Sequence, residues 1–284
     1  MLGDFELELR RLHQSGSNQF AEDWITKLKE RRINFEAAYK TLDKQNREPI
    51  SYSSICAQTA YIFAYAPVRA AYTFTFLQRH RAALEQVFFD KEEIQVCSFG
   101  GGPASELVGL VRYLEDAGEP VQRIRYRVYD KDGEWEEIAR NIVAALASEI
   151  MIDIDYFPVD VSSKEAMAAV DLSTTDLLMF SYVMSELAKI ETAGQISKNF
   201  QQIISLMPKN SKIFFQDNLH PIFIRYFESC LHKTSFRQFN DNGDTVDFAF
   251  PDNPEIFEII SNNTEWNPRT ELKSVSKFFI RKTP

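Results

Sequence analysis

The sequence predicts an α/β chain: a doubly wound, mostly parallel sheet with an antiparallel C-terminal edge, preceded by a helical N-terminal region. Three observations predict it. From about residue 90 onward, short apolar runs of strand character alternate with stretches whose apolar residues recur at helical spacing, the pattern of a parallel sheet covered on both faces. Before residue 90 only the helical spacing occurs. The last three strand-like runs lack connections of helix length, which favours antiparallel pairing at that end. The expected units are therefore residues 1–90, helical, and residues 91–284, the α/β domain.

In chain order, "FAEDWITKLKERRINFEAAYKTLDK" (20–44) reads as one amphipathic helix. "SYSSICAQTAYIFAYAPVRAAYTFTFLQRHRAALEQVF" (51–88) reads as two helices meeting at Pro67, because proline lacks the N–H and clashes with the preceding turn. "IQVCSF" (94–99) is a short buried strand, and "PASELVGLVRYLEDAG" (103–118) a helix that Gly118 stops. Strands follow at 123–130, 153–160, 175–183 and 211–217, with helices at 134–150, 163–172, 194–208 and 221–231. The tail contributes strands at "SFRQFN", "TVDFAF" and "KSVSKFFIRK".

Composition narrows the class. The chain has 284 residues and a net charge of −9, so it carries no broad basic footprint for nucleic acid, although an RNA partner with a local basic patch stays open. Three scattered cysteines with no Cys-x-x-Cys pair argue against a zinc site or a disulfide framework and favour a reducing compartment, cytoplasmic or nuclear. No metal cluster is expected. The first residues show no signal-peptide core. The most apolar run, "YIFAYAPVRAAYTFTFL", is interrupted by Pro67 and Arg69, so no membrane span is expected.

The informative corner is "FGGGP". It places Gly100, Gly101 and Gly102, three of only ten glycines, at the carboxyl end of the first strand. A doubly wound sheet binds ligands at that end of its strands, near the switch point. Glycine allows positive φ and close approach, and the following helix start offers N–H groups and a positive dipole end. A tight strand-to-helix turn accounts for one or two of the glycines. The next strand ends in Asp130 and the third in Asp160. Each suits a hydrogen bond from a ligand hydroxyl or amine, and each equally suits a helix cap or turn.

The corner, Asp130, Asp160 and the strand order resemble a class I S-adenosylmethionine-dependent methyltransferase, over about residues 90 to 284. The resemblance implies a Rossmann-like fold and S-adenosyl-L-methionine as cofactor. By it, Gly100, Gly101 and Gly102, with Ser98 and Phe99 before them, lie under the methionine moiety. Asp130 binds the ribose, Asp160 the adenine amino group, and Val161 lies beside the ring. Ser181 and Tyr182 complete the pocket. Apart from the resemblance, Tyr61 and Tyr65 lie one helical turn apart on one face, which suits closing over the pocket from the N-terminal region as a cap and, for at least one of them, better suits aromatic core packing. Ser98 stands where the family has an acid, and Ala104 where it has its third glycine. "DLLMFSYVMSEL" (176–187) is similar to the Ser-Tyr-x-x-Ser-Glu-Leu stretch of methyltransferases related to a mitochondrial small-ribosomal-subunit assembly factor, without that factor's four metal-binding cysteines.

Methyl transfer rests on proximity and in-line approach, with a base only where the acceptor must lose a proton early. Tyr182, Glu186, Asp217, Asn218 and His220 are the candidates near the strand tips, Tyr182, Glu186 and His220 being favoured, and His220 is also placed to begin a helix before Pro221. The implied reaction is methyl transfer to an RNA, protein or small-molecule acceptor. A cysteine nucleophile after the fourth strand, an Asn-Pro-Pro-aromatic stretch and visible magnesium ligands are all missing, which argues against three acceptor chemistries. The alternatives are a non-catalytic methyltransferase-like binding or assembly module and, less well supported because no Tyr-x-x-x-Lys follows the fourth strand, a nicotinamide-dependent oxidoreductase.

Overall fold

The structure is a computed structural model that describes residues 1–45, 50–88, 90–190, 192–248, 250 and 254–281. The N-terminal region is helical throughout: α1 (Leu2–Phe20), a 3₁₀ turn at Ala21–Asp23, α2 (Trp24–Tyr39), α3 (Ile55–Ala64), α4 (Ala66–Arg79) and α5 (Arg81–Phe88). The expected single helix over 20–44 is shorter at both ends: the 3₁₀ turn separates its start from α1, and it stops at Tyr39; the stretch 51–88, expected as two helices, is three, with a second break at His80. Ser54 caps α3 by accepting from the Ala57 N–H at 3.2 Å, and Pro67 lies in the first turn of α4, where its missing N–H costs nothing.

The sheet elements then follow: β1 (Glu93–Phe99), α6 (Ser105–Ala117), β2 (Arg123–Asp130), α7 (Trp135–Ala145), β3 (Met151–Pro158), α8 (Lys164–Met167), β4 (Leu177–Ser181), α9 (Met184–Leu187), α10 (Ala193–Ile204), β5 (Lys212–Asn218), α11 (Pro221–Leu231), β6 (Phe236–Asp247), α12 (Glu255–Thr264) and β7 (Glu271–Arg281). Gly118 stops α6 in the left-handed conformation, as its position predicts.

The seven strands lie in the order β3-β2-β1-β4-β5-β7-β6. This is the doubly wound order 3-2-1-4-5-6 with β7 inserted between β5 and β6. β1 through β5 pair in parallel, and β7 runs against both of its neighbours. The antiparallel element at the C-terminal end of the sheet is thus β7, one place in from the edge. The tail departs from expectation in two further ways. The two short strands expected at "SFRQFN" and "TVDFAF" are one strand, because β7 offers an unbroken row of partners from Arg281 opposite Phe236 to Glu271 opposite Asp247, with one irregularity between Gln238 and Asn240. And α12 was not expected: Ile256, Phe257 and Ile260 are its buried face.

Alternation along β1 shows why both faces are covered. Ile94 and Val96 join an apolar cluster with α1, α3, α4, α6 and α7, while Cys97 and Phe99 join a second with α10 and α11. The first cluster runs from Phe5 and Leu9 through Phe63 to Tyr126 and Phe214, so the N-terminal helices share the core of that face. Among the described residues, no helix is long and apolar enough to cross a membrane, and the three cysteines are buried free thiols.

Candidate functional site

The switch point lies between β1 and β4, whose flanking connections leave toward opposite faces, and a cleft opens above it. Its floor comes from the β1 corner and from residues just past β2, β3 and β4. Its far wall is Tyr52, Tyr61 and Arg69 from the N-terminal helical region. The cleft holds roughly 920 Å³ of non-atom space including its open mouth.

Each glycine of the corner has its own reason. Gly100 (φ +65°) and Gly102 (φ +45°) take left-handed backbone conformations, and both line the cleft. A Cβ on Gly100 would sit 2.7 Å from Val183 Cβ. Gly101 faces backward, where a Cβ would lie 2.8 Å from Ser98 Oγ and 2.9 Å from Glu106 Oε1. Its carbonyl accepts from the Ala104 N–H at 2.8 Å, so the corner is also a tight turn. Ala104 is itself left-handed (φ +63°) where the resembled family has glycine.

Asp130 lies at the tip of β2. Its Oδ2 accepts from the Gly102 N–H and its Oδ1 from the Asp132 N–H, both at 3.0 Å. Each carboxylate oxygen keeps a lone pair for a ligand hydroxyl. Burial raises this carboxyl to about 7, against the pull of those two N–H donors. Asp160 is exposed, two residues beyond the end of β3, and lines the cleft. Its Oδ1 also accepts from Ser162 N and Ser162 Oγ, at 2.8 and 2.6 Å, so the turn role and the lining role coexist. Val161 and Ser181 line the same cleft.

Tyr182 lines the cleft in a left-handed conformation (φ +60°), one uncommon for an aromatic residue. Its hydroxyl bonds Ser274 Oγ at 2.9 Å, and burial pushes its phenol well above 10, so it stays protonated at neutral pH and is no base in this state. Glu186 lines the cleft and accepts the Tyr52 hydroxyl at 3.0 Å.

Five expected site residues lie elsewhere. Ser98 is buried behind the corner, donating to Glu106 Oε1 at 2.5 Å. Phe99 points to the opposite face of the sheet, its ring stacked on Tyr129 and Phe180. Gly101 faces Ser98 and Glu106, away from the cleft. Tyr65 packs among Phe35, Tyr39 and Tyr61 and does not line the cleft. His220 is the N-cap of α11: its Nδ1 accepts from the Ile222 N–H at 3.2 Å, outside the cleft.

The sequence reading missed Tyr52, Arg69 and Trp135, all of which line the cleft. Only Arg69 left a signal, as the charge that interrupts an apolar run. The residue is 93% buried, and its guanidinium lies 4.0 Å from the centre of the Tyr182 ring and donates to the Tyr61 and Tyr39 hydroxyls, the latter at 3.3 Å. Glu106, also unremarked, accepts from Ser98 and Tyr126, and burial raises it to about 7. It brings an acid to the back of the corner, where Ser98 stands in the family's acidic position, but from α6. Among the described residues, no three His, Cys, Asp or Glu side chains gather as a metal site.

No family model matches the sequence, and no curated protein does. Solved structures similar in fold include a candidate RNA methyltransferase from Pyrococcus horikoshii (10% identity, 86% of this chain and 97% of that one, TM-score 0.46). They also include precorrin-6y C5,15-methyltransferase from Geobacter metallireducens (10%, 72% and 89%, 0.41) and precorrin 8w decarboxylase from Methanobacterium thermoautotrophicum (12%, 72% and 90%, 0.41). Likeness this distant says nothing of chemistry, and the site has to be read from its own residues.

Proposed function

We propose that the chain is an S-adenosylmethionine-dependent methyltransferase. The observation that carries this reading is the meeting of Gly100, Gly102, Asp130 and Asp160 in one cleft at the switch point, with Asp130 Oδ2 already joined to the Gly102 N–H. The residues fit the group. A vicinal diol needs two acceptor lone pairs, which Asp130 has, and the adenine has Val161 for its face and Asp160 for its amino group. The bound cofactor would supply an electrophilic methyl. The protein's part is to hold it above the corner with its methyl open to an acceptor.

The Ser181-Tyr182 and Ser185-Glu186-Leu187 stretch supports kinship with the ribosomal assembly-factor group, and three free thiols suit a reducing compartment. The acceptor, whether RNA, protein or small molecule, is the question for experiment. Calorimetry with S-adenosylmethionine and S-adenosylhomocysteine tests donor binding, with micromolar affinity expected. Tritiated methyl incorporation into RNA, protein and metabolite pools then identifies the acceptor. Absence of any donor binding would leave a non-catalytic module.

A further inference from the structure

Arg69 is charged, almost fully buried, and poorly served by its neighbours. A guanidinium carries five N–H donors. Two of them meet phenol oxygens, those of Tyr61 and Tyr39, and Nε has no partner. Glu106 and Asp217 attract the charge through space, but Arg69 makes no ion pair with either. A buried charge left this way costs several kcal/mol unless something satisfies it. Aromatic faces do part of that work: the guanidinium stacks on Tyr182 at 4.0 Å and lies 4.9 Å from the Tyr61 ring centre.

The cleft also carries an anion, Glu186 on α9. Tyr52 donates to Glu186 at 3.0 Å, and its oxygen lies 3.1 Å from that of Tyr39, which accepts from Arg69. Since the Tyr52 proton goes to Glu186, the Tyr39 hydroxyl donates to Tyr52. All three bonds therefore run one way, from the cation at Arg69 to the anion at Glu186. Two phenols keep the charges apart instead of letting them pair. A cleft lined by a guanidinium and a carboxylate that are held apart is complementary to a zwitterion.

Resting on the methyl-donor reading above, we propose that Arg69 receives the α-carboxylate of the donor's amino acid head and that Glu186 receives its α-ammonium. The position agrees with this. Arg69 stacks on Tyr182, which follows the last residue of β4, beside the β1 corner where the amino acid end of the donor would lie. The helical N-terminal region thereby supplies half of the donor site, and the site selects nucleosides that carry an amino acid.

The test is calorimetric and needs no acceptor. Wild type, Arg69→Gln and Arg69→Lys are titrated with S-adenosylhomocysteine and with 5′-methylthioadenosine, which keeps the nucleoside and thioether but lacks the amino acid. Wild type is expected to prefer S-adenosylhomocysteine, and Arg69→Gln to lose roughly ten- to hundredfold affinity for it while binding 5′-methylthioadenosine unchanged. Arg69→Lys, which keeps the charge, should retain part of the preference. Equal binding of the two ligands by wild type would overturn the proposal whatever the variants do. So would an Arg69→Gln protein that keeps the preference, or one that weakens for both ligands alike. Failure of wild type to bind either ligand would bring down the methyl-donor reading itself, and this proposal with it.

Discussion

Replacing Glu106 by glutamine isolates one buried ionisation. The carboxyl is 3% exposed, accepts from Ser98 Oγ at 2.5 Å and from the Tyr126 hydroxyl at 2.9 Å, and feels Arg69 through space. Those interactions favour the charged form, yet desolvation outweighs them and lifts the group from 4.5 to about 7. Between these values the folded protein holds a proton that the unfolded chain has released. Stability therefore falls as pH rises from about 4.5 to about 7, and levels off above. At about 1.4 kcal/mol per unit, the wild-type stability relative to the glutamine variant should drop by roughly 2–3 kcal/mol between pH 5 and pH 8. The amide keeps the shape and removes the titration, so the background pH dependence of the other groups cancels in the difference. Urea unfolding of both proteins at pH 5, 6, 7 and 8, followed by far-ultraviolet circular dichroism, measures it. Parallel stability profiles for the two proteins would refute the reasoning, because they would mean that Glu106 is ionised, or neutral, in both folded and unfolded states alike.

Asp130→Asn should lower S-adenosylmethionine affinity at least tenfold, by calorimetry, while cooperative unfolding persists. Because burial places the wild-type carboxyl near 7, wild-type affinity should also weaken as pH falls below 7, approaching tenfold per unit, and the asparagine variant should show no such slope. Gly100→Ala forces a side chain into a left-handed backbone and 2.7 Å from Val183 Cβ; the expected loss is about 2–4 kcal/mol in denaturant unfolding. His220→Ala should cost about 1 kcal/mol of stability through its lost cap and leave methyl incorporation unchanged; a large loss of incorporation in a folded variant would return His220 to the active site.

What the sequence discloses and what it hides divide along a physical line. The strand and helix alternation, the Pro67 junction, the Gly118 stop and the three-glycine corner are local signals: periodicity, a missing N–H, a left-handed φ. All were readable. The place of β7 between β5 and β6 is a pairing choice between segments tens of residues apart, and no local pattern encodes it. "NDNGD" carries turn chemistry, yet the ladder with β7 passes straight through it, tertiary pairing overriding propensity. The α12 face of Ile256, Phe257 and Ile260 was hidden in a tail read for strands. The two strand-tip acids, Gly100 and Gly102 meet in the cleft because topology fixes where strand ends go. Ser98 and Phe99 lie outside the cleft because alternation sends their side chains to the two faces of the sheet, away from its end.

Arg69 left a trace in the sequence but no hint of its place, and α6 explains how it reaches the site. The first turn of α6 carries Glu106, which sits behind Gly101 and ties the helix to the corner through Ser98. One turn on, Gly109 lets α4 come in so close that a Cβ there would lie 2.5 Å from the Ala70 carbonyl oxygen and 2.7 Å from Thr73 Cβ. Arg69 is the neighbour of Ala70, so the crossing that Gly109 permits is what sets the guanidinium over Tyr182. Thr73 anchors the same stretch from the far side, donating to Gln216 Oε1 on β5 at 3.0 Å. One helix thus positions both walls of the cleft, the glycine corner through its N-terminal turn and the N-terminal helices through its middle. The corner and the Arg69 wall are consequently fixed relative to each other by packing, and a ligand that bridges them meets a site organised before it arrives.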